Sequence, residues 1–124
     1  MKDFKDITVE VSDYIAYVTI QRPPNNFFDY FLIEQIADAY EELDQVSDCR
    51  VIILKSEGKN FCAGANFGQD EDMLDKSVPY KKLYAQAVRL FKTKKPVIAV
   101  VQGAAIGGGL GLALSADFRV ACPE

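Results

Sequence analysis

Residues 97–111 read Val97-Ile98-Ala99-Val100-Val101-Gln102-Gly103-Ala104-Ala105-Ile106-Gly107-Gly108-Gly109-Leu110-Gly111. The five apolar residues at the front, mostly β-branched, predict a buried strand, and Pro96 before them ends whatever precedes it. The glycine-rich turn then opens a helix at about residues 108–116, with Leu110, Leu112, Ala113 and Leu114 as its apolar part. Phe118-Arg119-Val120-Ala121 follows as a further strand. Strand, turn, helix and strand in this order make an α/β unit whose neighbouring strands run parallel.

The same unit occurs upstream. Val51-Ile52-Ile53-Leu54 is almost wholly apolar, as expected of a strand covered on both faces. A glycine-containing loop, residues 57–68, leads from it to an acidic stretch at 69–75, expected to be exposed. Residues 79–92 predict a helix with Leu83, Ala87, Leu90 and Phe91 inward. At the N-terminus, residues 7–11 and 15–20 each alternate apolar and polar, and Ser12-Asp13 offers the turn of a hairpin. Pro23-Pro24 stops the second strand, and Asn25-Asn26 prolongs the loop. Asp29 can cap a helix whose apolar residues Leu32, Ile36, Ala39, Tyr40, Leu43 and Val46 are spaced by threes and fours.

A chain of 124 residues is one domain at most. Its net charge of −4 and its scattered basic residues argue against a nucleic-acid partner. Lys92-Thr93-Lys94-Lys95 is the one basic run; it suits either a solvated helix end or an anionic ligand such as a nucleotide phosphate. With no histidine, the chain has no His-based metal site, no Ser-His-Asp triad and no His general base. Cys49, Cys62 and Cys122 lack metal-ligand spacing, and no metal is expected. The first residues do not form a signal peptide, and no segment is apolar enough to span a bilayer. A cytoplasmic or organelle-matrix location is the expectation.

Gly107-Gly108-Gly109-Leu110-Gly111 follows a strand and opens a helix, so phosphate-binding loops are the first comparison. A Walker loop requires Lys-Ser or Lys-Thr after its last glycine, and none is present. A dinucleotide fingerprint requires a third glycine where Leu112 stands. A helix N-terminus nevertheless offers unpaired N–H groups, and glycine lets a ligand approach them closely. Such a place suits negative charge developing on an oxygen. Close packing of helix on strand would also ask for small residues. The loop Phe61-Cys62-Ala63-Gly64-Ala65-Asn66 brings a second set of small residues after the earlier strand. Two such loops put backbone N–H groups on the carboxyl edge of the sheet, where α/β ligands bind.

These segments resemble the enoyl-CoA hydratase/isomerase, or crotonase, family. The resemblance is carried by residues 61–66, by Lys95-Pro96-Val97-Ile98-Ala99-Val100-Val101-Gln102-Gly103, and by Ala105-Ile106-Gly107-Gly108-Gly109-Leu110 running on to Ala116-Asp117. Gln21-Arg22-Pro23 after the hairpin matches as well. The resemblance covers nearly the whole chain in motif order, and jointly the motifs are specific. It implies a crotonase-like (ClpP/crotonase) α/β spiral of repeated ββα units. Family members are about twice this length, so residues 1–124 are expected to be the N-terminal core of a longer domain. The chain also ends directly after a strand that nothing downstream would cover.

By the same resemblance, the N–H groups of Ala65 and Gly108 form an oxyanion hole for the thioester carbonyl of an acyl-CoA. Coenzyme A enters as part of the substrate, with no tightly bound cofactor. Pro24, Asn25 and Phe27 lie along it, and Cys62, Ala63, Gly64, Asn66, Phe67, Gly107 and Gly109 complete the binding loops. Phe67, Met73 and the Leu83 region border the acyl pocket or are plain core. A homotrimer or hexamer is implied if the C-terminal part is present. The pattern departs from the family at Gly111, where hydratases carry a catalytic glutamate, and the second family carboxylate would lie beyond Glu124. Isomerase-type or other non-standard chemistry is therefore expected over simple hydration, the alternative being a catalytically silent acyl-CoA-binding or assembly protein. Asn66 replaces a common aspartate. Cys62 is expected to be an inert buried thiol rather than a nucleophile, and Asp117 a structural link rather than a catalytic acid.

Overall fold

A computed structural model of the chain describes residues 3–64 and 80–121. Strands β1 (Ile7–Ser12) and β2 (Ile15–Ile20) form an antiparallel hairpin, and β3 (Val51–Ser56), β4 (Val97–Val101) and β5 (Phe118–Ala121) add to it in parallel. The sheet order follows the chain, β1-β2-β3-β4-β5. Helix α1 (Tyr30–Asp44) connects β2 to β3, α2 (Tyr80–Leu90) precedes β4, and α3 (Gly108–Leu114) joins β4 to β5.

The hairpin turn lies one residue later than expected. Asp13 and Tyr14 both take positive φ, 53° and 68°, and a two-residue loop of that kind matches the twist of its strands. Tyr14 is held there from outside the hairpin: its carbonyl accepts from Arg50 N at 2.8 Å, and the Arg50 guanidinium sits 4.4 Å from its ring centre.

Asp29 caps α1 as expected, its Oδ1 accepting from Leu32 N at 3.0 Å. The helix buries Leu32, Ile33, Ile36, Ala37, Ala39, Tyr40 and Leu43 and packs on β1, β2 and α2. Burying one Leu or Ile side chain contributes about 1.5–3 kcal/mol, against about 1 kcal/mol for a cap. The apolar stripe therefore decides where the helix lies, and Asp29 decides where it begins.

Helix α1 has no basic residue in its own last turn. Lys95, from the connection between α2 and β4, supplies the cation instead, its Nζ donating to the carbonyls of Leu43 and Val46. Asp44 accepts from Thr93 Oγ1 at 2.7 Å and Lys94 N at 3.0 Å. Part of the basic run is thus a clamp on the negative end of α1.

Three further expectations need correction. Strands β3 and β4 were expected to be covered on both faces. Ile52, Leu54, Val97 and Ala99 are fully buried, but Val51, Ile53 and Ile98 on the other face are only half-buried and Val100 is exposed. One face of these strands packs into the core cluster and the other does not, so successive side chains differ. Phe91 was expected to point inward, but α2 ends at Leu90 and Phe91 is 68 % exposed. Leaving the helix takes Phe91 off the stripe that buries Leu90. Helix α3 likewise stops at Leu114, where Ser115 N–H reaches back to Gly111 O at 3.0 Å. The acidic stretch 69–75 and Cys122 lie outside the described residues.

Arg22 joins three segments. Its guanidinium meets Asp6 Oδ2 at 2.8 Å and Asp29 Oδ1 at 3.1 Å, and donates to Phe27 O at 3.1 Å. Gln35 Nε2 also donates to Asp6 Oδ2, at 2.7 Å. Burial alone would push the Asp6 carboxyl up, but the donors Arg22 and Gln35 outweigh it and hold the group below its usual value. A carboxyl lowered in the folded state stabilises that state above its unfolded value, and loses the contribution as pH falls through the folded value. Stability should therefore drop on acidification below about pH 4. Asp6→Asn should flatten part of that loss in denaturant unfolding at neutral and acid pH. An undiminished loss in the variant would clear Asp6.

Candidate active site at the carboxyl edge of the sheet

The loops that follow β2, β3 and β4 meet at the carboxyl ends of these parallel strands. Asn26 is their hub. It is fully buried with φ +53°, a left-handed conformation that asparagine tolerates. Its Oδ1 accepts from Arg22 N at 2.8 Å, closing its own loop. Its Nδ2 donates to Glu57 O at 2.6 Å and Asn60 O at 2.7 Å, which holds the next loop. Asn60 relays the connection: Nδ2 donates to Asn25 Oδ1 at 2.9 Å, and Oδ1 accepts from Ala104 N at 2.9 Å. Gln102 Nε2 returns from the third loop to Ser56 O at 2.9 Å.

Past these amides the second and third loops run side by side. Phe61 N donates to Gln102 O at 2.8 Å, Cys62 N to Ala104 O at 3.1 Å, and Ile106 N to Cys62 O at 3.1 Å. Cys62 and Ala105 form a parallel bridge, which extends the β3–β4 pairing into the loops. The first loop lies across both: Ala63 N donates to Asn25 O and Phe28 N to Gly64 O, each at 2.9 Å. This contact needs two glycines. Gly103 has φ +59°, and a Cβ there would overlap Lys59 O and lie 2.6 Å from Asn60 Oδ1. A Cβ on Gly109 would overlap Cys62 O.

The sequence-derived site residues separate accordingly. Pro24, Asn25, Cys62, Ala63, Gly64, Gly107, Gly108 and Gly109 come together in the three loops, and Phe27, 40 % exposed, lies beside Asn26. Ala65, Asn66, Phe67 and Met73 lie outside the described residues. Leu83 packs against the core cluster. Gly108 is exposed in the first turn of α3, and no described residue accepts from its N–H. Such a donor is available to a ligand oxygen.

Cys62 is fully buried, and its thiol is pushed up by that burial, only partly countered by backbone donors at Gly64 and Phe28. A raised thiol is a poor nucleophile at neutral pH. Asp117 exchanges two bonds with β4: Val97 N donates to Asp117 Oδ2 at 2.8 Å, and Asp117 N to Val97 O at 2.9 Å. It fastens the α3–β5 junction. At Gly111 a Cβ would meet nothing within 4 Å, so the position has room for a side chain. Asn60, Gln102 and Phe28 were not singled out from the sequence, and Asn26 entered only as part of its loop. The one available signal was a pair of asparagines after Pro23-Pro24, which also fits an ordinary loop.

Known proteins share this fold. The enoyl-CoA hydratase/isomerase family model matches residues 10–124. The (E)-benzylidenesuccinyl-CoA hydratase of Thauera aromatica is 34 % identical over 124 residues, covering 93 % of this chain and 46 % of that protein. The mitochondrial Delta(3,5)-Delta(2,4)-dienoyl-CoA isomerase of Dictyostelium discoideum is 29 % identical, covering 95 % of this chain and 46 % of its own length. A Legionella pneumophila crystal structure, assigned as an enoyl-CoA hydratase/isomerase (crotonase), superposes with a TM-score of 0.81 at 30 % identity, covering 96 % of this chain and 48 % of that one. The chain thus spans about half the length of the curated relatives it matches, and corresponds to their N-terminal half. Among the described residues no helix is long and apolar enough to cross a membrane. With the crotonase-like α/β fold, the ordered glycine loops and a family match over almost its full length, the chain belongs to the enoyl-CoA hydratase/isomerase family.

Proposed function

We propose that this chain provides the acyl-CoA-binding, oxygen-holding part of an enzyme that works through a thioester enolate. The Gly108 N–H, without an acceptor among the described residues and placed beside the 61–64 loop, carries the reading. Together with the N–H of Ala65 it would take the thioester carbonyl oxygen, and each such donor is worth roughly 3–4 kcal/mol of barrier. The Pro24, Asn25 and Phe27 loop and the Cys62, Ala63 and Gly64 loop are the parts that would hold coenzyme A, which arrives with the substrate. Asn66, Phe67, Gly107 and Gly109 complete that assignment.

Gly111 can neither store nor move a proton. Transfer of one proton along the acyl chain, as in an isomerase, therefore fits better than addition of water, which calls for paired carboxylates. Gly111 also favours a second reading, a silent acyl-CoA-binding or assembly protein. Calorimetry of the full chain with acetyl-CoA and a longer acyl-CoA should show binding; none at millimolar ligand would sink both readings. Double-bond migration in a 3-enoyl-CoA would then exclude the silent binder. Since Gly111 has room for a side chain, Gly111→Glu should keep acyl-CoA affinity and raise the share of hydration. Unchanged product ratios would show that residue 111 does not direct the chemistry.

A further inference from the structure

We infer that Phe28 is a positioning residue that sets the proposed oxygen-binding donor Gly108 relative to the 61–64 loop. The inference rests on the acyl-CoA reading above and deepens it. Phe28 comes from the first loop and touches both of the others through different atoms. Its backbone N–H donates to Gly64 O at 2.9 Å. That bond ties the end of the 61–64 loop to the first loop. The ring of Phe28 meanwhile fills the space beside Gly108 where a Cβ would stand: such an atom would overlap ring carbons Cζ and Cε1. One residue thus holds the Gly64 carbonyl through its backbone and seats Gly108 through its ring.

The ring is partly buried against the hydrophobic core, so it is anchored from behind. Its immediate neighbours are fixed as well. Asn26 lies fully buried two residues before it, and Asp29, capping α1, follows it. Gly108 itself has a short helix on one side and an irregular loop on the other. The three atoms nearest to that Cβ position all belong to the Phe28 ring. The ring also accounts for glycine at 108 by sterics, independently of any ligand.

The positioning role separates from general stability by what it should leave alone. Phe28→Ala keeps the backbone N–H and removes the ring. In the full chain it should lower kcat by about 10²-fold, the scale of a small misplacement of catalytic groups. KM should stay within about threefold, because the interaction lost acts in the transition state. The direct readout is 4-(dimethylamino)cinnamoyl-CoA, whose absorption moves to the red when its thioester carbonyl is polarised. The parent protein should shift it, Phe28→Ala should shift it much less at saturating ligand, and Phe28→Leu should fall between. A full shift in Phe28→Ala overturns the inference. A parent protein that binds the probe but does not shift it overturns the oxygen-binding reading as well.

A thermal-unfolding cycle tests the contact without any ligand. Gly108→Ala should lower Tm in the parent and lower it less in a Phe28→Ala background, where the ring no longer occupies the Cβ position. Equal losses in the two backgrounds would overturn the contact, and the inference with it. This measurement also keeps the two failures apart, since it can succeed when acyl-CoA binding fails.

Discussion

Asn26→Ala should destabilise the fold by about 3–5 kcal/mol, enough to remove much of the stability of a small domain. The substitution removes an acceptor from Arg22 N and a donor from both Glu57 O and Asn60 O, all at a position with no solvent exposure. Each buried group left without a partner costs about 1–3 kcal/mol. Alanine at φ +53° adds about 1–2 kcal/mol of backbone strain. Two further variants divide these terms. Asn26→Gly should recover only the backbone part. Asn26→Asp keeps the acceptor for Arg22 N but sets a carboxylate against two carbonyls, and should do no better than alanine. Denaturant unfolding of the three variants measures the differences. A loss below about 1 kcal/mol for alanine would mean the three bonds are replaced by water.

Gly109→Ala is expected to damage both stability and ligand binding. The added Cβ would overlap Cys62 O, and would lie 2.9 Å from Cys62 C. That carbonyl is already engaged by Ile106 N. Backbone meets backbone here, so no side chain can swing aside. Helix α3 or the 61–64 loop has to move, at about 3 kcal/mol, the upper part of the usual range for overpacking. Moving either one also shifts Gly108 relative to Gly64, and a displacement near 1 Å costs on the order of 10²-fold in activity. The comparison is Gly111→Ala, two residues on in the same helix: its Cβ meets nothing, and alanine suits a helix better than glycine by about 1 kcal/mol. Unfolding and acyl-CoA calorimetry on the pair should give opposite signs for stability. Equal behaviour would mean the Gly109–Cys62 contact yields without cost.

The elements were legible because their signals are local. Alternation marks β1 and β2, Asp29 with the stripe from Leu32 to Leu43 marks α1, and Pro96 marks the boundary before β4. The glycine loops could be read as places of close approach, since few other demands put three glycines between a strand and a helix. What each glycine approaches was hidden. Cys62 O lies opposite Gly109, and the Phe28 ring opposite Gly108, across long stretches of chain. The amide network was hidden for the same reason. Asn26 finds Asn60 34 residues on, and Asn60 finds Ala104 a further 44 on. Lys95 shows a subtler limit. A cation near a helix end was anticipated, but the end it serves belongs to α1, which only the packing of α1 against the α2–β4 connection reveals. The expected burial of Phe91 failed because periodicity gives no sign of the turn at which a helix stops.

The order of the sheet bears on how the protein is made. Among the described residues, each strand after the first lies next to the one that precedes it in the chain. A polypeptide emerging from the ribosome can therefore add each strand to an edge that already exists, with no earlier pair to be prised apart. The hairpin comes first and is the most local pairing, which keeps the loop-closure cost of the first step small. Each parallel strand then brings its loop to the same rim. The amides of Asn26, Asn60 and Gln102 close in that succession, so the three loops become locked as the sheet widens rather than after it is complete.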